Sequence, residues 1–261
     1  MLGKPRRGRI PSLDMSWSDV VPKPSVIAAI LERRRRRAGF RGIYRKYRDY
    51  TQIHEAKFVD NLELCARFEA ISGCVVECGV WRGGMSAGMA ELLGAQRDYL
   101  LFDSFEGMPP AREDLDGAAA IAWQSNAAGP IYRNNNAASQ EEAAAAMKLS
   151  GATSFSLVKG WFDQTVPGFA PPCEIAILRL DGDWYESTRV CLENLYPHVA
   201  ARGIVIVDDY YNWEGCARAV NEFLAEVASP NAVPRLRQFH DSAAYLVKPV
   251  APDTAAANGA S

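Results

Sequence analysis

The sequence predicts an open, doubly wound α/β sheet, and three observations carry that expectation. Cys74, Val75 and Val76 form a short apolar run closed by Glu77, with Gly79, Gly83 and Gly84 behind it and a helical apolar run from Met85 to Leu93. Strand, glycine turn and helix in that order open the sheets whose ligands sit beyond the carboxyl ends of the strands. Further strand-length apolar runs follow at 99–103, 155–159, 174–181 and 203–207, most of them parted by helical stretches. Residues 236–239 and 243–247 then flank His240-Asp241-Ser242 as a closing antiparallel hairpin.

At 261 residues the chain suffices for one large α/β domain. A net charge of -2 gives no support to general nucleic-acid binding. No apolar run approaches the roughly 20 residues that span a bilayer, and no secretory signal is visible, so neither membrane nor nucleic acid is expected as a partner. The six cysteines form no CxxC pair and read as core thiols of a cytoplasmic protein.

Residues 1–50 differ from the rest, with Pro, five consecutive arginines at 33–37, and Tyr44, Tyr47 and Tyr50 among basic residues. They read as a basic helical extension, a solvated face or arm that could fold over the main domain or pack on another subunit. Residues 51–248 form the expected main domain, opened by an amphipathic helix bearing Phe58, Leu62, Cys65, Ala66 and Phe68. Residues 109–138 lack periodicity and read as a long surface loop of the lid or substrate-wall kind. Ser139 and Glu142 make a capping-box pattern at the next helix. Residues 249–261 are small, polar and expected to be disordered.

Candidate site residues gather at the strand ends. Asp103 lies about two dozen residues beyond the first glycine turn, where doubly wound folds place a carboxylate on ribose hydroxyls; capping of its own turn is the alternative. Trp161, after the third strand, is placed to stack on a purine or to pack. Asp181, with Asp183, and the pair Asp208-Asp209 end two neighbouring strands. Carboxylates crowded in this way raise each other's pKa, and a hard divalent cation such as magnesium removes the conflict; wet strand ends are the plainer explanation. The three histidines have no zinc spacing, and neither a P-loop nor a Gly-x-Ser-x-Gly elbow is present.

Five runs in order, VECGVWRGG, FDSFEGMP, KGWF, LDGDWYEST and VDDY, make the stretch from Thr51 to Lys248 resemble the macrocin O-methyltransferase family of the TylF/MycF type. That resemblance implies a class I methyltransferase fold, a Rossmann-like seven-stranded sheet flanked by helices. It implies an enzyme dependent on S-adenosylmethionine and Mg2+ that methylates a hydroxyl of a sugar or glycosylated natural product, of the kind made in antibiotic biosynthesis. By position, Glu77, Gly79 and Ser86 would line the methionine end of the cofactor, and Asp103 with Ser104 would hold the ribose. Thr51 and Ser139 match cofactor-proximal positions, although the segment here reads Thr51-Gln52-Ile53-His54 where the family has Thr-Met-x-Gly. Asp181, Asp208 and Asp209 match the metal ligands, with Asp181 also the expected base. A homodimer or higher homo-oligomer is implied as well.

Alternatives to this reading are an O-methyltransferase of a non-sugar vicinal diol or catechol, an NAD-dependent sugar-nucleotide enzyme, and a non-catalytic partner that keeps the fold. The NAD enzyme predicts Gly-x-Gly-x-x-Gly, which Gly79-Val80-Trp81-Arg82-Gly83 does not match. A non-catalytic partner predicts a broken carboxylate set, and all three acids are present.

Overall fold

The computed structural model describes residues 24–130, 132–229 and 232–250. The chain divides into two units, 1–39 and 40–261. In the first, the described part is helical from Pro24 and carries exposed Arg33 to Arg36, with Arg36 paired to Glu32 at 3.2 Å. The boundary between these units falls between Gly39 and Phe40. Phe40, Tyr44 and Tyr47 form an i, i+4, i+7 apolar stripe on helix α1 (Pro24–Tyr47), which the interleaved basic residues hide in the sequence. Tyr47 is fully buried and donates its hydroxyl to Glu91 at 2.6 Å. The stretches 1–23 and 251–261, just under half of the expected extension and nearly all of the expected tail, lie outside the described residues.

The second unit is a seven-stranded sheet flanked by helices, as expected. Its strands are β1 (Cys74–Cys78), β2 (Tyr99–Asp103), β3 (Phe155–Lys159), β4 (Ile175–Leu180), β5 (Val199–Val207), β6 (Arg237–Gln238) and β7 (Ala244–Val247). They lie in the order β3-β2-β1-β4-β5-β7-β6, with the first five parallel and β7 antiparallel to both β5 and β6. The order reverses beside β1, which pairs β2 on one side and β4 on the other. A crevice at such a switch point is where open α/β sheets bind ligands.

Side chains alternate across the sheet, so each strand feeds two apolar layers. Val75, Leu101, Ile177 and Ile206 pack with Phe58 and Leu62 of α2 (Glu55–Ala66) and Met89 of α3 (Gly84–Leu93). Val76, Phe102, Leu178 and Val205 fill the opposite layer.

Residues 109–138 are not simply a loop. They contain helix α4 (Glu113–Ser125) and a short 3₁₀ turn, Asn134–Asn136. The alanines of α4 blur its apolar face in the sequence, and in the structure Gly117 breaks the helical dihedrals with φ 80°. A side chain at Gly117 would meet Glu214 Oε2 at 2.5 Å. The remaining helices are α5 (Gln140–Ser150), α6 (Phe162–Thr165), α7 (Tyr185–Leu195) and α8 (Glu214–Val227). Buried Asp116 joins α4 to α7, accepting from Arg112 N at 2.8 Å and from Tyr185 N at 2.7 Å. Among the described residues, no helix is long and apolar enough to cross a membrane.

Candidate active site

The site is built from the carboxyl ends of β1, β2, β4 and β5. At the end of β1, Gly79 adopts φ 91°, and a Cβ there would collide with the Asp181 carbonyl. Glycine is therefore what lets the β1 turn and the end of β4 close together. Asp103 braces the same turn from β2. Its Oδ2 accepts from Val80 N at 2.7 Å and Trp81 N at 2.8 Å, and its Oδ1 accepts from Phe105 N at 2.7 Å. The turn-capping alternative is thus realised, and Asp103 also lines the adjoining cavity.

Behind the turn lies a buried ionic cluster. Arg179, in an otherwise apolar strand, has no exposed surface. Its Nη1 reaches Glu77 Oε1 at 2.5 Å and Asp181 Oδ2 at 2.9 Å, and its Nη2 reaches Asp208 Oδ1 at 2.6 Å. From α2, Lys57 Nζ reaches Asp208 Oδ2 at 2.5 Å and Asp209 Oδ1 at 3.6 Å. Asp183, whose Oδ1 accepts from Trp213 Nε1 at 2.7 Å, completes the acids.

Five carboxylates therefore surround two buried cations, and burial of an uncompensated charge is costly. The titration of the acids reflects this. Burial pushes Glu77 up to about 7 against the pull of Arg179. Burial and the neighbouring Asp181 push Asp183 up to about 7. Asp209 rises to about 6, from burial and the Asp183 charge. Asp181 is raised well above the usual carboxylate range by burial, with Asp208 and Asp209 adding to it against Arg179. Asp208 alone goes down: burial raises it, but Arg179 and Lys57 outweigh that and hold it at about 2.

Ligand oxygens of Asp181, Asp208 and Asp209 all lie within 4.8 Å of one another. Three carboxylate oxygens gathered this closely could be drawn onto one small ion. An all-oxygen set with surplus negative charge fits a hard divalent cation. Asp181 offers the accessible edge, its side chain 26% exposed against 3% for Asp208 and 9% for Asp209.

In front of the cluster is a cavity of about 1140 Å³. That exceeds the roughly 300–1,000 Å³ common for one small ligand, so two reactants have room. Of the residues expected from sequence, Thr51, Glu77, Gly79, Asp103, Ser104, Trp161, Asp181, Asp208 and Asp209 line it. Two expected lining residues do not. Ser86 is fully buried and donates its hydroxyl to Glu77 Oε2, so it orients that carboxylate. Ser139 Oγ accepts from Glu142 N, capping α5 within a complete capping box. Lys57, Arg179 and Asp183 were not singled out from sequence as functional in their own right. A basic residue inside the apolar run Ile175–Leu180 was the available signal, because a buried Arg demands acidic partners.

A model of the family described as macrocin-O-methyltransferase (TylF) matches residues 30–237. The 8-demethyl-8-(2,3-dimethoxy-alpha-L-rhamnosyl)-tetracenomycin-C 4'-O-methyltransferase of Streptomyces olivaceus is 37% identical over 178 residues, 64% of this chain and 65% of that protein. The demethyldecarbamoylnovobiocin O-methyltransferase of Streptomyces niveus is 36% identical over 183 residues, 65% of this chain and 66% of that protein. The chain thus spans just under two-thirds of the length of these relatives. Among solved structures, the O-methyltransferase NovP is 31% identical with a TM-score of 0.60, covering 74% of this chain and 81% of that one.

Proposed function

The chain belongs to the macrocin-O-methyltransferase (TylF) family, and we propose that it is an S-adenosylmethionine-dependent O-methyltransferase that acts on a hydroxyl of a glycosylated small molecule with the help of a divalent cation. The observation that carries this reading is the convergence of Asp181, Asp208 and Asp209 on one wall of a two-ligand cavity opened by the Gly79 turn. The glycoside acceptor is inferred from the name of the Streptomyces olivaceus relative, whose printed substrate carries a rhamnosyl group.

Asp181, Asp208 and Asp209 would hold the cation, Mg2+ by the character of the donors. When bound, the cation supplies Lewis acidity that lowers the pKa of an acceptor hydroxyl and fixes its direction. S-adenosylmethionine supplies the electrophilic methyl group, and the turn of Gly79, Val80 and Trp81 with Asp103 forms its side of the cavity.

The chain's own groups do the rest. Asp181 is the accessible carboxylate of the three and takes the hydroxyl proton. Arg179 fixes Asp181, Glu77 and Asp208 through one guanidinium, so that donor set needs little rearrangement during turnover. Ser86 and Arg179 hold the two Glu77 oxygens toward the methionine end. Trp161, on the cavity wall, offers a face to the adenine. Holding donor and acceptor in line removes an entropic share of the barrier.

The test is transfer of labelled methyl from S-adenosylmethionine to a panel of L-rhamnosides, with Mg2+ or with EDTA. Product formation with Mg2+ and its loss in EDTA is expected. Equal transfer in EDTA would remove the cation from the mechanism, and no transfer to any glycoside would count against the acceptor class.

A further inference from the structure

Two imidazoles on the cavity wall take no part in the acid cluster. His54 directly precedes α2, His240 sits in the turn between β6 and β7, and their ring centroids lie 5.4 Å apart at a tilt of 52°. Both line the cavity that carries Asp181, Asp208 and Asp209.

Each ring has one nitrogen committed to backbone. His54 Nδ1 accepts from Lys57 N at 3.2 Å, which caps α2. His240 Nδ1 accepts from Ser242 N at 3.3 Å and lies 3.2 Å from the Ser242 hydroxyl. A nitrogen that accepts carries no proton, so each neutral ring bears its proton on Nε2. Among the described residues, neither Nε2–H meets a protein acceptor. Burial and the Lys57 charge lower the His240 pKa, which keeps that ring neutral.

Both rings are anchored to the acids by short links. The residue that caps against His54 is Lys57, whose Nζ sits 2.5 Å from Asp208. Tyr211 N, two residues past Asp209, donates to Ser242 O at 3.0 Å and ties the His240 turn to the end of β5. The wall holds Glu77, Asp103, Asp181, Asp183, Asp208 and Asp209, a field that disfavours an anionic acceptor.

We propose that His54 and His240 are the acceptor-recognition pair: their Nε2–H groups donate to two oxygens of a neutral, polyhydroxylated acceptor and hold it against the carboxylate cluster. This deepens the methyltransferase reading and rests on it.

The test uses the full chain with S-adenosylhomocysteine and Mg2+, and methyl α-L-rhamnopyranoside as probe. Imidazole nitrogen–proton correlation spectra should show both rings protonated on Nε2. The rhamnoside should then shift the His54 and His240 Nε2 signals and leave exposed His198 unmoved. His54→Asn and His240→Asn keep an acceptor at the Nδ1 position, preserving the cap and the turn, and remove the distal donor. Each should raise the rhamnoside Kd about fivefold, the worth of one net hydrogen bond, with S-adenosylhomocysteine affinity unchanged. His54→Gln and His240→Gln, which restore a distal donor, should recover part of the loss. Wild-type rhamnoside affinity in both Asn variants overturns the proposal, as does a wild-type protein that binds S-adenosylhomocysteine but not the rhamnoside. Failure to bind S-adenosylhomocysteine at all overturns the methyltransferase reading, and this inference with it.

Discussion

Arg179 Nη2 lies 2.6 Å from Asp208 Oδ1, and both residues are buried, Arg179 on β4 and Asp208 just past the end of β5. The same guanidinium also holds Glu77 and Asp181, so one side chain organises three strand ends. Removing it leaves buried carboxylates without their cation. Arg179→Met should cost about 3–5 kcal/mol of stability, the range for breaking a buried ion pair. Urea denaturation checks this, and a loss below about 1 kcal/mol would mean the cluster is less dependent on Arg179 than its geometry implies.

Asp208→Asn and Asp209→Asn should each weaken Mg2+ binding and lower turnover by about 100-fold or more, the scale of losing a preorganised charge at the reacting centre. Neither residue belongs to the glycine turn, so S-adenosylhomocysteine should still bind. Calorimetric titration of both ligands into each variant separates the two effects.

The acid cluster also sets a pH dependence. Glu77, Asp183 and Asp209 have folded-state pKa values raised to about 7, 7 and 6 from 4.5, 3.8 and 3.8. A raised carboxylate keeps its proton in the folded state where the unfolded chain has lost it. Its contribution is present below the unfolded value and is lost as pH rises through the folded one. Asp208, held at about 2, works the other way and loses its contribution only as pH falls below about 4. In EDTA the protein should therefore melt several degrees lower at pH 7.5 than at pH 5. Saturating Mg2+ should flatten that slope by compensating the same charges. Identical slopes with and without Mg2+ would place the cation elsewhere.

Gly79→Ala tests the closeness of β1 and β4. The left-handed backbone alone costs about 1–3 kcal/mol, and the new methyl presses on the Asp181 carbonyl. Melting temperature and turnover should fall together; an unchanged melting temperature would show that the turn can relax.

The sheet was legible because its strands are apolar runs that break abruptly into acid, as Val205, Ile206 and Val207 do before Asp208. The same breaks marked the metal-type acids, since Asp at a strand end needs no tertiary information to be seen. The positions of Lys57 and Arg179 were not legible in that way. Their role depends on α2 and β4 bringing cations to acids far away in the chain, and spacing within either segment does not encode that pairing. Helix α4 was obscured by its alanines and by Gly117, and the Phe40, Tyr44, Tyr47 stripe by the basic residues around it. Ser139 was read correctly as a capping box: its oxygen accepts from Glu142 N at the start of α5.

The central claim is that the crevice beside Gly79 and Asp103 binds S-adenosylmethionine. Calorimetric titration of S-adenosylhomocysteine into the full chain, with NAD as control, measures it directly. The account predicts one-to-one micromolar binding of S-adenosylhomocysteine and none of NAD. Binding of NAD with no response to S-adenosylhomocysteine, or no binding of either, would contradict it.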